Sequence, residues 1–297
     1  MHIQLDTNGI VLSRKKDIFV MTSETKVRTI SPHMVKSFTV SAKCLVSSRA
    51  VDLASKFKIP IYYQNRTGQI YAKIGVPTYV GGESLRTKQV FYQHTKYARR
   101  WVADNLKLKM RNQMEVIRHW GNESGLNNKR KTIEDKIEAI LQKSKINLSD
   151  LLVFESNFSS QYWKIYRKVL PKAWKMGSRN LRPAQDPVNS LINYTYGFLY
   201  KTVEHSIYCT GLNPQVGLLH KNRYNDPVLA YDLIEPFRPN MDYLVMKIIN
   251  EGSIRMTDFK INDKACVLNK TGKRKIIPMI YDHMEENIGS MLIGMGS

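Results

Sequence analysis

Several signals are scarce or missing in this chain of 297 residues, and each absence argues against a class of protein. No run of about 18 or more apolar residues occurs, so no membrane-spanning helix is expected. The amino-terminal stretch MHIQLDTNGIVLSRKKD lacks the charged-then-apolar pattern of a signal peptide, which predicts a cytoplasmic protein. The three cysteines, Cys44, Cys209 and Cys266, lie far apart without a CxxC pair, so neither a disulfide frame nor a cysteine zinc cluster is indicated.

Acidic residues are also few relative to basic ones. The chain has 46 Lys and Arg against 25 Asp and Glu, a net charge of +21 and a pI near 9.8. A positive field of this size suits a polyanion, and nucleic acid is favoured over a membrane because no basic helix has a broad apolar face. A basic protein without such a partner stays open at this point, since charge alone does not define function.

The pattern of short and long segments predicts an α+β protein with two domains. Residues 1–74 contain short β-branched or alternating stretches separated by turn residues, with one helix after a Ser cap in SSRAVDLASKFKI. They predict a small β-sandwich-like domain with one helix. Residues 75–84 are rich in Gly and Pro and predict a linker. Residues 85–297 are dominated by good helix formers and predict an all-α domain.

Within the second domain, the sequence predicts the ends of several helices. Residues 85–120 lack Pro and Gly and predict one long helix, followed by helices over 133–144 and 147–174. The next helix opens with Asp186 as cap and Pro187 in the first turn, and Gly211 lies just past its end. The segment CVLNKTGKRKII predicts a hairpin, and YDHMEENIGSMLI predicts a final helix.

Three polar residues stand in an apolar stretch, GLLHKNRYNDPVLAYDLIEPFRP. His220 follows two leucines, and Asp232 and Glu235 lie three apart on a predicted helix, so they share a face. Two carboxylates buried together need a cation or a hydrogen-bonding partner. The alternative for the acids is an exposed polar stripe, and a lone histidine is more often a satisfied side chain than a metal ligand.

A further acid and a basic segment point to phosphate chemistry. Glu155 lies in an apolar and aromatic run, LLVFESNFSSQYW, where a carboxylate requires a partner. The segment after it carries basic and aromatic residues without an acid, which suits phosphate contacts and base stacking. Lys164, Arg167 and Lys168 are its predicted DNA contacts, with a solvated helix face as the alternative.

Glutamate, histidine and a second carboxylate form an oxygen-rich set that fits Mg²⁺ or Mn²⁺ better than structural zinc. A divalent ion beside a basic groove indicates phosphodiester chemistry. Because these residues lie far apart in sequence and form no local motif, two alternatives stay open. One is a non-catalytic nucleic-acid-binding protein with structural acids, and the other is a metal-dependent ribonuclease.

Several phrases in order along the chain resemble one family. They are KFKIPIYYQNRTGQIYAKI, LRTKQ, ESNFSSQYW, RPAQDPVNSLINYTYGFLY, GLNPQVGLLHKNRYNDPVLAYDLIEPFRP and TGKRKIIPMIYDHM. Together they resemble the CRISPR spacer-acquisition integrase, a metal-dependent DNA endonuclease of CRISPR adaptation. The chain departs from the family pattern at Thr195, where Gly is usual, and in the Ser and Asn of ESNFSSQYW.

The resemblance implies a function and a set of site residues. Glu155, His220 and Glu235 match the family's ligands for Mg²⁺ or Mn²⁺, and Asp232 matches a supporting acid. Arg223, in the same phrase, joins the predicted phosphate contacts. The resemblance also implies a homodimer, assembly with a small second CRISPR adaptation protein, and attack by the 3′-hydroxyl ends of captured DNA on the repeat backbone.

Overall fold

The computed structural model of the chain has two compact units, Met1–Tyr79 and Val80–Ser297. The structure describes residues 1–64, 70–75, 82–120, 135, 139, 148–179, 183–220, 226–263 and 265–287. The segment that separates the two predicted domains in the sequence falls mostly outside these ranges, and its last residues, 82–84, begin a helix of the second unit.

The described residues of the first unit form two four-stranded sheets and one α-helix. Its strands, in chain order, are β1 His2–Leu5, β2 Val11–Lys15, β3 Ile18–Thr22, β4 Val27–Ile30, β5 Ser37–Val40, β6 Leu45–Val46, β7 Ile61–Gln64 and β8 Ile70–Ile74. One sheet has the order β1-β5-β7-β8, with only its last pair antiparallel, and the other has the order β4-β3-β2-β6. A short 3₁₀ turn, Pro32–Met34, precedes β5.

Apolar side chains from both sheets share one core. Leu12 and Phe19 of one sheet and Phe38 and Ile61 of the other are fully buried in it. Helix α1, Ser48–Lys56, covers this core, and its N-terminus is capped by the Ser47 hydroxyl, which accepts a hydrogen bond from the Ala50 amide. The predicted Ser cap is therefore confirmed, because this side chain satisfies an amide that the first helical turn leaves free.

The second unit is mostly helical. Its elements are α2 Gly82–Tyr92, α3 Lys96–Trp120, α4 Leu148–Val169, α5 Pro187–Thr210, α6 Val228–Ile234, a 3₁₀ turn Glu235–Phe237, α7 Arg238–Asn250, a 3₁₀ turn Met256–Asp258, β9 Phe259–Asn262, β10 Ala265–Leu268 and α8 Lys270–Asn287. Strands β9 and β10 form an antiparallel pair, so the second unit is mostly helical and not all-α.

Two predicted elements differ from the structure for reasons of helix capping. The single helix predicted over 85–120 is divided into α2 and α3, because the Thr95 hydroxyl accepts a hydrogen bond from the Ala98 amide and starts a new helix. The hairpin predicted over 266–277 is wrong: Asn269 caps α8 through the Gly272 amide, so the Lys-Thr-Gly residues belong to a first helical turn. The helix predicted over 133–144 lies almost entirely outside the described residues.

Helix α5 follows its predicted ends closely. Its N-terminus begins at Pro187, and the Asp186 carboxylate accepts a hydrogen bond from the Asn189 amide. Gly211 follows its last residue with φ of 79°, a left-handed conformation that glycine adopts without strain. Thr195, the departure from the family pattern, is buried in α5, where its hydroxyl donates to the Ile192 carbonyl. The helix therefore accommodates this residue without leaving a buried hydroxyl unpaired.

No helix within the described ranges is both long and apolar enough to cross a membrane.

Candidate active site

Glu155 lies on the side of α4 that faces the core. The buried residues of this helix are Leu151, Phe158, Tyr162 and Tyr166, and their three-to-four spacing places Glu155 in the same stripe. Its side chain is only 15% exposed. A carboxylate at such a position needs partners, and the Ser159 hydroxyl, one turn later, donates to Glu155 Oε1 at 2.7 Å.

The second partner of Glu155 is a lysine that the sequence analysis did not identify. Lys109 lies on the apolar stripe of α3, and its Nζ is 2.5 Å from Glu155 Oε1 and 2.7 Å from Glu235 Oε2. Its side chain is 13% exposed. Burial alone would lower the pKa of Lys109, but the two carboxylates outweigh that effect and raise it above its usual value, so the group is an ammonium ion.

Glu235 is buried and lies between two cations. Its Oε1 is 3.0 Å from Arg238 Nη2, one helical turn later, and its Oε2 faces Lys109. Burial would raise the pKa of Glu235, but Arg238 and Lys109 outweigh this and hold it below its usual value. The carboxylate is therefore ionised at neutral pH. An exposed acidic stripe, the alternative left open by the sequence, is wrong, because both Asp232 and Glu235 are buried.

Asp232 holds the loop that carries His220. Its two carboxylate oxygens accept hydrogen bonds from the backbone amides of Leu218, Leu219 and His220, and its Oδ1 lies 2.5 Å from His220 Nδ1. This contact fixes the ring, so that Nε2 is the nitrogen left to bind a ligand. The two acids thus have different tasks, even though they are three residues apart.

Gly217 allows the loop to approach Asp232. A Cβ at this position would lie 2.9 Å from Asp232 Oδ2 and 2.9 Å from the His220 carbonyl oxygen. Real Cβ atoms do not approach backbone oxygens so closely, so a side chain at this position would push the loop away from the carboxylate. The glycine of the phrase GLLH is therefore required by the contact between loop and acid.

Helix α2 supports the same loop from its other end. The buried Gln89 amide donates to the carbonyls of Asn213 and Val216 at 2.9 and 3.0 Å and accepts from the Asn213 amide at 2.8 Å. Gln93, one turn later, donates to the Gly217 carbonyl. These bonds satisfy backbone groups that a loop cannot pair by itself. Together, α2 and Asp232 hold the segment 213–220 at both ends.

A further buried carboxylate, Asp242, joins α4, α5 and α7 through hydrogen bonds. It accepts hydrogen bonds from the hydroxyls of Tyr196 and Tyr162 at 2.8 and 3.0 Å, and Tyr166 donates to its backbone carbonyl. The guanidinium of Arg238 stacks against Tyr196, 5.2 Å from the ring centroid. This network orients Arg238, which in turn contacts Glu235.

The predicted DNA contacts lie in different settings. Lys164 and Lys168 are exposed on α4, whereas Arg167 donates to the Gly177 carbonyl at 3.1 Å and so has a structural partner. Arg223 lies outside the described residues. The structure thus leaves Lys164 and Lys168 available on the surface of the helix that carries Glu155.

The donor chemistry of the site fits a divalent cation, although its side chains do not form a closed cage. Among the described residues, no three His, Cys, Asp or Glu side chains converge closely enough to hold a metal ion. Glu235 Oε2 is nevertheless a buried oxygen that accepts no aligned hydrogen bond, and the cation beside it contacts a Glu155 oxygen as well. Carboxylate oxygens directed at one positive charge, and an imidazole whose other nitrogen is held by Asp232, are ligand types that Mg²⁺ and Mn²⁺ accept.

Lys109 had a sequence signal that could have identified it, whereas Gln89 had none. Lys109 continues a three-to-four spacing set by Val102, Leu106 and Gln113, all of which are buried. A lysine at an apolar position of a helical stripe indicates a buried carboxylate partner. Gln89 is the buried polar residue of an otherwise exposed stretch, and nothing in its neighbours indicates the loop it binds.

Comparison with known proteins identifies the family to which the chain is similar. The family model described as CRISPR associated protein Cas1 matches residues 3–281. A CRISPR-associated endonuclease Cas1 of Methanothermobacter thermautotrophicus is 28% identical over 92% of this chain and 79% of its own length. A second such endonuclease, from Saccharolobus solfataricus, is 25% identical over 94% of this chain and 83% of its own length.

Two solved structures share the fold. The Cas1 protein TM1797 of Thermotoga maritima superposes with a TM-score of 0.84 at 21% identity, over 98% of this chain and 93% of its own. A casposase bound to its integration product has a TM-score of 0.78 at 22% identity, over 97% of this chain and 83% of its own. They confirm the α+β fold class.

The family model and the named relatives define a class, that of the CRISPR-associated nucleases. Within it, the chain belongs to the Cas1 family of CRISPR spacer acquisition. The resemblance found in the sequence is thereby confirmed.

Proposed function

We propose that this chain is a Mg²⁺- or Mn²⁺-dependent DNA endonuclease and integrase, in which Glu155, His220 and Glu235 bind the metal ion. One observation carries the proposal: Glu155 and Glu235, far apart in sequence, converge on a single positive charge. A bound divalent ion would supply charge stabilisation at the phosphoryl oxygen and activation of the attacking oxygen.

The chain's own residues account for orientation and charge in this proposal. Asp232 holds the His220 ring by Nδ1 and keeps the loop backbone in place. Arg238 keeps Glu235 ionised and in position. Lys164, Lys168 and Arg223 are the proposed phosphate contacts, because a basic helix face beside a phosphodiester site neutralises the DNA backbone. Arg167 is a weaker candidate, since its guanidinium already bonds Gly177.

The proposed reaction is insertion of captured DNA into a repeat array by attack of a 3′-hydroxyl on a phosphodiester. The casposase neighbour was solved with its integration product, which supports this chemistry for a related fold. A further neighbour is a Cas6-RT-Cas1–Cas2 complex, with a TM-score of 0.76 at 17% identity over 97% of this chain and 32% of that one. We therefore propose DNA, a Cas2-type second adaptation protein and a second copy of this chain as partners.

The test is an assay of cleavage and joining on a labelled branched DNA with Mg²⁺ or Mn²⁺. We expect Glu155→Gln, His220→Ala and Glu235→Gln each to lose about 100-fold or more in rate, the scale on which one active-site electrostatic group contributes. Glu251→Gln, which changes an exposed glutamate at the end of α7, is the matched control and should keep the wild-type rate.

Three outcomes separate this proposal from its rivals. Unchanged rates in all three site variants would refute the metal site. Binding of DNA without cleavage or joining by the wild-type protein would favour a non-catalytic binding protein. Activity confined to RNA would favour a ribonuclease.

A further inference from the structure

Lys109 is the centre of the acidic site, and its position has a consequence for metal binding. Its Nζ contacts one oxygen of each proposed carboxylate ligand, at 2.5 Å from Glu155 Oε1 and 2.7 Å from Glu235 Oε2. We propose that Lys109 is a built-in competitor for the divalent cation: its ammonium neutralises the carboxylate pair, and it must swing aside when the metal binds. This inference rests on the proposed metal site.

The carboxylate pair requires a cation whether or not metal is bound. Glu155 and Glu235 are 15% and 8% exposed, so water screens their mutual repulsion poorly. Arg238 contacts the other oxygen of Glu235, Oε1. Its positive charge therefore does not contact Glu235 Oε2 or Glu155. The Ser159 hydroxyl donates to Glu155 but carries no charge. Lys109 thus provides the positive charge between the two acids.

The ammonium and a divalent ion cannot occupy this position together. Both bind carboxylate oxygens at short range, and two positive charges a few ångströms apart in a poorly solvated site repel strongly. The two cations beside Glu235 differ in mobility. Arg238 is packed against the rings of Tyr196 and Tyr200, whereas a lysine ammonium ends a flexible four-carbon chain. Lys109 is therefore the group that can leave, while Arg238 keeps Glu235 in place.

Competition of this kind lowers the affinity for metal and raises the stability of the metal-free protein. A ligand that must displace a bound group pays the free energy of the contacts that it breaks, so its apparent affinity falls accordingly. Lys109 would in this way set the concentration of Mg²⁺ or Mn²⁺ at which the nuclease becomes active.

The experiment measures Mn²⁺ binding to the full chain without DNA, by calorimetry or by the electron paramagnetic resonance signal of free Mn²⁺. Lys109→Met removes the ammonium while keeping the length of the side chain. We expect its Kd for Mn²⁺ to be at least about tenfold smaller than that of the wild-type protein. Lys109→Arg keeps a cation at the same position and should not gain affinity. A Kd in Lys109→Met that is unchanged or larger overturns the inference.

Two controls assign any gain to this site. Lys260→Met removes the same charge from an exposed position of β9 and should leave the Kd unchanged, which excludes a general effect of net charge. The double variant Lys109→Met/Glu235→Gln should lose the gain. If neither the wild-type protein nor Lys109→Met binds Mn²⁺, the proposed metal site itself fails; if both bind it equally, only the competition by Lys109 fails.

Thermal unfolding provides a second measurement, which is informative even if the variant is destabilised. Without metal, Lys109→Met leaves Glu155 without its cationic partner and Glu235 with Arg238 alone, so it should have a lower Tm than the wild-type protein. Added Mn²⁺ should raise the Tm of the variant by more than it raises that of the wild-type protein. A variant that is destabilised and gains no more than the wild-type protein from Mn²⁺ contradicts the inference.

Discussion

Asp232 illustrates how one side chain can determine the geometry of a site that it does not itself complete. Its carboxylate accepts three consecutive backbone amides and contacts the ring of His220. An asparagine of the same shape would present an amide donor to one of these N–H groups, so the charge and the two acceptor atoms are both required. The position of His220 follows from this residue more than from its own packing.

Asp242 gives a prediction for pH dependence. Burial raises the pKa of Asp242 to about 6 from an ordinary value of 3.8, and the hydroxyls of Tyr196 and Tyr162 limit the rise. Because the folded-state pKa is raised, the stabilising contribution of this group is complete below about pH 3.8 and is lost as the pH rises through about 6. Asp242→Asn has no such titration.

We therefore expect the free energy of unfolding of the wild-type protein, minus that of Asp242→Asn, to fall between about pH 4 and pH 6.5. Urea unfolding at several pH values measures it. Glu235, with its lowered pKa, changes stability in the opposite direction, but it is present in both proteins and cancels in the difference. A difference that rises with pH would contradict the assignment.

The sequence predicted some of these residues and not others, for physical reasons. Glu155, His220 and Glu235 were accessible because a polar residue among apolar neighbours has to be paired. Their partners were not accessible, because pairing across 46 residues, as between Lys109 and Glu155, depends on how helices pack and leaves no local pattern. The ligand roles of the three residues remain proposals.

At the scale of elements, the site depends on helices that contribute no proposed ligand. Helix α2 holds the loop before His220 through Gln89 and Gln93, and α5 supplies the tyrosine that binds Asp242. Capping signals predicted the ends of α1 and α5 because the cap and the amide that it binds are neighbours in sequence. The start of α8 was not predicted, since Asn269 in a Gly-containing segment is equally typical of a turn.

Gln89→Ala tests the support of the loop by α2. The substitution removes two donors and one acceptor that satisfy backbone groups of Asn213 and Val216, so we expect a loss of about 1–3 kcal/mol in the free energy of unfolding. Faster amide hydrogen exchange should be concentrated in residues 213–220. Lys88→Ala, at the neighbouring exposed position of α2, is the control and should change neither. Exchange that stays at the wild-type rate in this segment would show that Asp232 alone holds it.

At the scale of the whole molecule, net charge is the dominant property. A charge of +21 favours association with a polyanion over any particular base sequence, because counterion release does not depend on sequence. The sign and size of this charge were available from composition. Its distribution along α4 required the structure, which exposes Lys164 and Lys168 and pairs Arg167 internally.

Salt dependence tests the proposed contact with DNA. We expect the affinity for a DNA duplex to fall by about 100-fold or more between roughly 50 and 200 mM salt, as for a protein that neutralises four or more phosphates. Replacing both Lys164 and Lys168 by Ala should reduce the slope of log K against log salt by about 2. Glu251→Gln, a change of charge at an exposed site on α7, should leave it unchanged. A slope equal to that of the wild-type protein in the double variant would remove these lysines from the DNA contacts.

The contacts that build the site also determine when it can form. Lys109 meets a residue 46 positions later, Tyr162 binds one 80 positions later, and Gln89 holds a backbone 124 positions later. Contacts between residues so distant in sequence form slowly. During synthesis, the earlier residue cannot make its contact until the later residue has left the ribosome. A nascent or truncated chain that ends before residue 242 therefore lacks Asp242, to which the tyrosines of α4 and α5 bind. We therefore expect the proposed nuclease activity to be confined to chains that have been completed through α7.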